Sequence, residues 1–248
     1  MGLKKYIITG HVIEVYEYKN YVHGKGGARV RGEASDEDKQ KNYSNTNQRR
    51  RDTIRRLACC NFDNQYDKFL TLTFADNKTD LKECNILFKA FIRKLKRYKE
   101  NLKYLGVIEF QERGAVHYHV LLNIPYIPQK ELQELWGHGF VFINAISHVD
   151  NIGAYIIKYM TKDNKDNRLM GQKAYLFSRN LKVPEKIVNH DLKDFYNIEK
   201  KIYNKYKLND LKPEYVSNFK SELMGECVYK QYNLKRGVNN AWCYEQIL

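Results

Sequence analysis

Two histidines separated by one residue, His117 and His119, stand in a run from Ala115 to Asn123 that is typical of a β-strand. Side chains of a strand alternate between its two faces, so both imidazoles project from the same face. Two neutral imidazoles on one face can share a divalent cation. The same pair is equally typical of two histidines that only form hydrogen bonds on a sheet face and bind no metal. A third ligand nearby decides between these two interpretations.

The nearest carboxylates precede the histidines, across a predicted turn. Glu109 ends the preceding predicted strand, and a hairpin folds it back beside the imidazoles. Gln111 and Glu112 are closer to the turn and are the alternatives. Glu109 is preferred because Gln111 is a neutral, weaker ligand and Glu112 can splay into solvent. A carboxylate with His117 and His119 suits Mg²⁺ or Mn²⁺ acting on a phosphate.

A second group of chemically capable residues lies in a predicted helix downstream. At 100° per residue, Tyr155, Lys158, Tyr159 and Lys162 fall within an arc of about 100°. Tyrosine pairs four residues apart usually pack in a core, but ammonium groups in the same arc indicate that this face meets an anion. The predicted nucleophiles are Tyr155, Tyr159 or both, and the pattern does not choose between them.

Tyrosine suits reversible cleavage of a phosphodiester, because phenoxide is a better leaving group than an alkoxide. A cation would polarise the scissile phosphate, while Lys158 and Lys162 would favour the phenolate and neutralise developing charge. The products would be a 5'-phosphotyrosine and a free 3'-hydroxyl. The two residue groups together therefore predict a metal-assisted, tyrosine-dependent DNA nicking site.

The charge of the chain agrees with a nucleic-acid partner. It has 43 Lys and Arg against 29 Asp and Glu, a formal net charge of +14, with 20 Tyr and 11 Phe that can stack on unpaired bases. The alternative is a basic surface that binds no nucleic acid.

A predicted polar helix, which begins at Ser35 and reaches about Ala58, carries an arginine cluster that is either solvated or in contact with phosphates. Its members are Arg49, Arg50, Arg51, Arg55 and Arg56.

The elements that must position these residues predict an α+β fold, with a central antiparallel sheet of about five strands and flanking helices. Their order is strand, helix, strand, strand, helix, strand, helix: Phe69–Phe74, Leu81–Tyr98, Leu102–Phe110, Ala115–Asn123, Gln129–Trp136, Phe140–Asn144 and His148–Lys162. We expect three regions. Residues 1–60 form a basic extension with a strand, a loop and the arginine helix, residues 61–190 form the catalytic domain, and residues 191–248 form a helical and strand extension on its core.

The ordered motifs resemble the HUH endonuclease superfamily, in particular phage and plasmid rolling-circle replication initiators of the filamentous-phage gene II protein type. The matching pieces are Phe69–Phe74, Glu109 with His117-Tyr118-His119, and Tyr155-x-x-Lys158-Tyr159-x-x-Lys162; Trp136–Gly139 and Ser178–Leu181 also look like family features. The resemblance implies a metal-binding strand in the middle of an antiparallel sheet, with the tyrosine helix beside it. It implies an initiator that nicks single-stranded or hairpin origin DNA, with two tyrosines acting alternately or one alone.

Several further expectations concern partners and context. The five cysteines form no Cys-x-x-Cys pair and predict reduced thiols, and no signal peptide or membrane span is apparent, so we expect a cytoplasmic protein of a bacterial host, monomeric or weakly dimeric. No Gly-x-x-x-x-Gly-Lys-Ser/Thr motif occurs, so unwinding and extension are expected from a host helicase and polymerase. The alternatives are a relaxase or transposase with the same chemistry, and a basic module that binds a DNA hairpin without cutting it.

Overall fold

The computed structural model describes residues 3–20, 35–62, 66–160, 167–169, 171–188, 192–221 and 224–236. Two expectations fall outside the described residues: the loop of the N-terminal extension, around the Gly-rich basic segment Gly24–Gly27, and the predicted helper Lys162. Among the described residues, none of the helices combines the length and the hydrophobicity that spanning a membrane requires.

Ten strands and five helices form the described structure. The strands are β1 (Leu3–Thr9), β2 (Val12–Tyr18), β3 (Lys68–Leu72), β4 (Tyr104–Phe110), β5 (Val116–Leu122), β6 (Val141–Ala145), β7 (Tyr175–Phe177), β8 (Glu185–Val188), β9 (Tyr215–Ser221) and β10 (Gly225–Asn233). The helices are α1 (Asp36–Asn61), α2 (Leu81–Leu95), α3 (Gln129–Trp136), α4 (Ile152–Ile157) and α5 (Leu192–Tyr206). The α+β class is therefore confirmed.

Close contacts divide the chain into two units, residues 34–182 and residues 1–33 with 183–248. The first unit contains α1 together with the predicted catalytic core, and the second joins the N-terminal strands to the C-terminal segment. The division at residues 60 and 190 that we expected from the sequence remains a prediction.

The first unit is built on an antiparallel sheet of five strands, in the order β6-β3-β5-β4-β7. The strand with the histidines, β5, is central, in agreement with the expected fold. One face of this sheet is apolar and packs on α2 and α3, where Leu70, Phe88, Tyr118 and Trp136 are buried in one cluster. The opposite face carries the histidines.

Local capping explains where the helices begin. The Ser35 hydroxyl accepts a hydrogen bond from the Asp38 N–H and begins α1, as predicted. The Asp80 carboxylate accepts from the N–H groups of Lys82 and Glu83 and begins α2. These side chains satisfy backbone donors that a first helical turn leaves without a partner.

The motif Trp136–Gly139 has a packing role at the end of β3. The Trp136 indole donates to the Thr73 carbonyl at 2.8 Å, and its ring packs on Phe74 with centroids 5.1 Å apart. A Cβ at Gly139 would lie 2.4 Å from the Thr73 carbonyl oxygen, so only glycine permits this approach. The motif therefore fixes the end of a strand that borders the histidine face.

The second unit contains a sheet that the sequence did not predict, in the order β8-β1-β2-β10-β9. We expected one strand in the N-terminal extension, but Leu3–Thr9 and Val12–Tyr18 form two strands that pair with each other. The tight turn between them is possible because Gly10 has a φ of 60°. The short strands β7 and β8 were also missed, because each is held by a partner distant in sequence. Strand β9 was missed as well, although it forms a hairpin with the next strand, β10.

The helix expected from His148 to Lys162 is shorter than predicted. It begins at Ile152, where the Asn151 side chain accepts from the Ala154 N–H, and it ends at Ile157. Residues Lys158–Met160 continue as a 3₁₀ turn, because the Lys158 N–H bonds to the Tyr155 carbonyl three residues earlier. The four-residue arc of the sequence prediction therefore does not lie on one continuous α-helix.

Close packing of α4 on α1 depends on Gly153. A Cβ at this position would lie 2.6 Å from the Arg55 carbonyl oxygen and 2.7 Å from the Cys59 sulfur. We expect Gly153→Ala to lower the free energy of unfolding, because overpacking costs about 1–3 kcal/mol while helix propensity returns about 1 kcal/mol at most. Urea denaturation would measure the change.

Gly106→Ala is a matched control for this prediction. The added methyl would meet only ordinary contacts, 3.5 Å from Phe88 and from Val120. A smaller change is therefore expected there. Equal unfolding midpoints for the two variants would contradict the proposed packing of α4 on α1.

Candidate active site

The register of β4 and β5 brings the predicted metal ligands together. Glu109 lies directly opposite His117, and His119 is the next residue on the same face of β5. One ligand atom from each of the three residues lies within 4.8 Å of the other two. Gln111 and Glu112 lie beyond the end of β4 and are not in this group.

Hydrogen bonds hold one of the imidazoles in place. The His119 Nε2 lies 2.6 Å from a Glu109 carboxylate oxygen, and its Nδ1 lies 3.1 Å from the Thr71 hydroxyl. Thr71 faces His119 because β3 pairs with β5 in register. Both nitrogens of this ring therefore have a partner, and the ring orientation is fixed from two sides.

The other imidazole has an unsatisfied nitrogen. His117 is 8 % exposed, and its Nε2 is buried without a hydrogen-bond partner among the described residues. Burial lowers the pKa of His117 to about 4, with His119 and Arg113 acting in the same direction and Glu109 against it. The ring is therefore neutral at neutral pH, which is the form that binds a cation.

These residues fit a divalent cation. A buried nitrogen without a partner costs free energy unless something satisfies it, and an adjacent carboxylate and second imidazole complete a set of nitrogen and oxygen donors. Such a set is compatible with a divalent metal that also binds phosphate oxygen. Glu109, His117 and His119 therefore form a possible metal-binding triad.

Both predicted nucleophiles lie against the same face of the sheet. The Tyr159 ring stacks on the His119 ring, with centroids 4.0 Å apart. The Phe69 ring packs against both phenol rings, and its centroid lies 5.0 Å from that of Tyr155 and 5.1 Å from that of Tyr159. The Tyr159 hydroxyl donates to the Tyr155 hydroxyl at 3.4 Å. Of the two tyrosines, Tyr159 is the one whose ring stacks on a member of the triad.

The phenol of Tyr159 is protonated in this environment. Burial raises its pKa well above the ordinary range, and the Tyr155 hydroxyl and the Glu109 charge act in the same direction. A nearby cation would have to offset these effects before Tyr159 could attack as a phenolate. Lys158, one of the predicted helpers, is exposed.

The arginine cluster of α1 is only partly available to a ligand. Arg49 is exposed, whereas the other four side chains are half-buried. Arg50 donates to the Gln172 carbonyl, and Arg55 forms an ion pair with Asp52 at 3.5 Å. Arg49 is therefore the most accessible member of the predicted DNA contact.

An open cleft of about 860 Å³ adjoins the triad on the side of the β4–β5 turn. Glu109 and His117 line it from the triad, and Glu112, Arg113 and Arg168 line it from outside. Its volume is within the range of pockets that hold small ligands. The site is therefore accessible from this side.

The sequence prediction missed Phe69 and Thr71 as parts of the site. Both lie at alternate positions of β3, and that alternation was the one local signal that they share a face. The alternation does not predict which strand pairs with β3. Arg113 and Arg168 were also missed, because only the folded hairpin brings them to one cleft.

Thr71→Val is expected to weaken Mn²⁺ binding by roughly tenfold, because loss of a hydrogen bond that orients a metal-binding imidazole has effects of this size. Valine keeps the shape of threonine but leaves the His119 Nδ1 without its partner. Titration of free Mn²⁺ by electron paramagnetic resonance would measure the affinity. Thr71→Ser keeps the hydroxyl and should bind as the wild type does; equal weakening in both variants would argue against an orienting role.

Comparison with known proteins agrees with the motifs. A search of curated proteins and a search of solved structures gave no match. A family model does match: residues 67–164, which include the triad and both tyrosines, match the replication-associated protein ORF2/G2P family. Over this segment the chain is therefore similar to the replication-associated family, which agrees with the rolling-circle initiators that its motifs resemble.

Proposed function

We propose that this protein initiates rolling-circle replication by nicking one strand of origin DNA through tyrosine transesterification. The observation that carries the proposal is the stacking of Tyr159 on His119, at 4.0 Å between ring centroids, beside a triad whose ligand atoms lie within 4.8 Å of one another. Phenol and potential metal ligands thus share one face of the sheet. The family match over residues 67–164 supports a replication role.

Each residue has a separate task in the proposed reaction. Glu109, His117 and His119 would hold Mg²⁺ or Mn²⁺, which supplies Lewis-acid polarisation of the scissile phosphate when bound. The Tyr159 oxygen forms a bond to phosphorus, and the bond between phosphorus and the 3'-oxygen breaks. The phenol loses a proton and the leaving 3'-oxygen gains one, so no further reactant is needed. Lys158 and Lys162 would stabilise the developing negative charge.

Tyr155 has a different proposed task. Its hydroxyl accepts a hydrogen bond from Tyr159, so it lies within reach of the same phosphate region. It is suited to a second transesterification that releases the product circle, after Tyr159 has made the first cut.

We infer that the arginine helix, through Arg49 above all, adds affinity for duplex or hairpin DNA. A host polymerase would extend the 3'-hydroxyl, and a host helicase would unwind the duplex.

Covalent capture tests the proposal without knowledge of the origin. The full-length protein would be incubated with a pool of random-sequence single-stranded oligonucleotides and Mn²⁺, and protein carrying DNA would be isolated under denaturing conditions. The expected result is an adduct that requires the metal, that maps to Tyr159 by mass spectrometry, and that enriches one sequence. EDTA should abolish it.

Other outcomes separate the alternatives. Binding of hairpin DNA with no adduct under any metal condition would overturn the nickase proposal and favour a module that binds without cutting. An adduct whose captured sequence behaves as a transposon end in a strand-transfer assay would favour a transposase. An adduct that supports extension from the freed 3'-hydroxyl on a circular template is the outcome expected of an initiator.

A further inference from the structure

The open cleft beside the triad contains two arginines that the proposed reaction does not use. The Arg113 guanidinium donates to the Phe74 carbonyl at 3.0 Å and to the Gln111 side chain at 2.9 Å. Arg168 lies over the Phe110 ring, 4.1 Å from its centroid. Both side chains are exposed, yet both are also held in place. Two oriented guanidinium groups in one cleft are suited to binding phosphate.

Arg168 is close to the hairpin turn. Gly114 has a φ of 89°, and a Cβ there would lie 3.3 Å from an Arg168 guanidinium nitrogen. Arg168 therefore lies against the turn that joins β4 to β5. Glu109 and Glu112 line the same cleft and would repel a phosphate on their own. The two arginines supply positive charge that can offset this repulsion.

The cleft and the tyrosines approach different members of the triad. The cleft is lined by Glu109 and His117, whereas the Tyr159 ring stacks on His119. The rings of His117 and His119 have centroids 6.4 Å apart. In phosphoryl transfer the attacking and leaving oxygens lie roughly in line on opposite sides of phosphorus. If a phosphate is held at the triad and the phenol attacks it from the His119 side, the leaving oxygen would lie on the side of the cleft.

We propose that this cleft binds the strand upstream of the nick, the segment that ends in the free 3'-hydroxyl, and that Arg113 and Arg168 bind its phosphates. The inference rests on the proposed nicking function, since the direction of in-line attack requires Tyr159 as the nucleophile. The substrate of the cleft is single-stranded DNA, held through its backbone. Retention of the 3' end beside the triad would keep it available for extension and for rejoining.

The test uses the sequence identified by covalent capture, divided at the nick into an upstream and a downstream oligonucleotide. Fluorescence anisotropy in Mg²⁺ would measure the binding of each to the full-length protein. Arg113→Ala and Arg168→Ala should each weaken upstream binding by about tenfold, and each should reduce the slope of log affinity against log salt by about 0.7. Downstream binding should be unchanged.

Controls separate the cleft from folding and from the proposed function. Arg93→Ala, an exposed arginine of α2 outside the cleft, should alter neither oligonucleotide's binding. Arg113→Lys keeps the charge but lacks the two-pronged guanidinium group, and it should retain part of the upstream affinity. This variant also keeps the inference testable if Arg113→Ala does not fold.

A wild-type protein that forms no adduct would overturn the nicking function and this inference together. An adduct with no arginine effect, or with equal or larger losses for the downstream oligonucleotide, would overturn the inference about the cleft alone.

Discussion

Replacement of Tyr159 by phenylalanine is expected to abolish the covalent adduct and to reduce nicking of the captured sequence by about 10³-fold or more, the scale of effect seen when a catalytic nucleophile is removed. The ring of phenylalanine can still stack on His119 and pack on Phe69, because it can take the place of the Tyr159 ring, whose centroid lies 4.0 Å and 5.1 Å from theirs. The variant therefore loses the attacking oxygen with little change in packing. Single-turnover cleavage of labelled oligonucleotide would measure the rate.

Tyr155→Phe is the matched variant. It removes the hydroxyl that accepts from Tyr159, a contact that raises the Tyr159 pKa, so the first cleavage should continue at a rate close to that of the wild type. We expect it to fail at the second exchange, the release of a closed circle from a covalently held strand. An adduct that persists in Tyr159→Phe and disappears in Tyr155→Phe would reverse the two assignments.

Glu109→Gln is expected to weaken Mn²⁺ binding by about 100-fold, at the upper end of the range for disturbed metal sites. Glutamine fills the same volume but lacks the charge that attracts the cation, and the carboxylate it replaces lies 2.6 Å from His119. Nicking at limiting Mn²⁺ should fall in parallel, and millimolar Mn²⁺ should restore part of it. Titration by electron paramagnetic resonance, with the cleavage rate at each concentration, would measure both effects.

Glu112→Gln makes the same chemical change at the ligand that the sequence left as an alternative. Glu112 is exposed in the cleft and is not a member of the triad. The Mn²⁺ affinity of the Glu112→Gln variant should therefore match that of the wild type. A large loss in Glu112→Gln with none in Glu109→Gln would contradict the triad. His148→Ala, at an exposed histidine that is not a member of the triad, controls for nonspecific Mn²⁺ binding.

Residues that lie close together in sequence were the ones whose placement could be predicted. The strand alternation that puts His117 and His119 on one face, the hairpin that returns Glu109, and the four-residue spacing of Tyr155 and Tyr159 all depend on local periodicity. Each arrangement is present in the fold. The helix predicted to carry both tyrosines ends before Tyr159, which lies in a 3₁₀ turn that begins at Lys158. Spacing alone does not predict that change.

The sequence by itself thus predicted the class of chemistry: the side chains proposed to bind a cation, the phenols proposed to attack, and the central antiparallel sheet that carries the former. Tertiary structure decided the partners of these groups. The pairing of β3 with β5 places Thr71 opposite His119, close packing at Gly153 brings α4 onto α1, and the folded hairpin places Arg113 and Arg168 in one cleft. The physical reason is that register and packing depend on contacts between residues distant in sequence, whereas periodicity reports only which residues share a face.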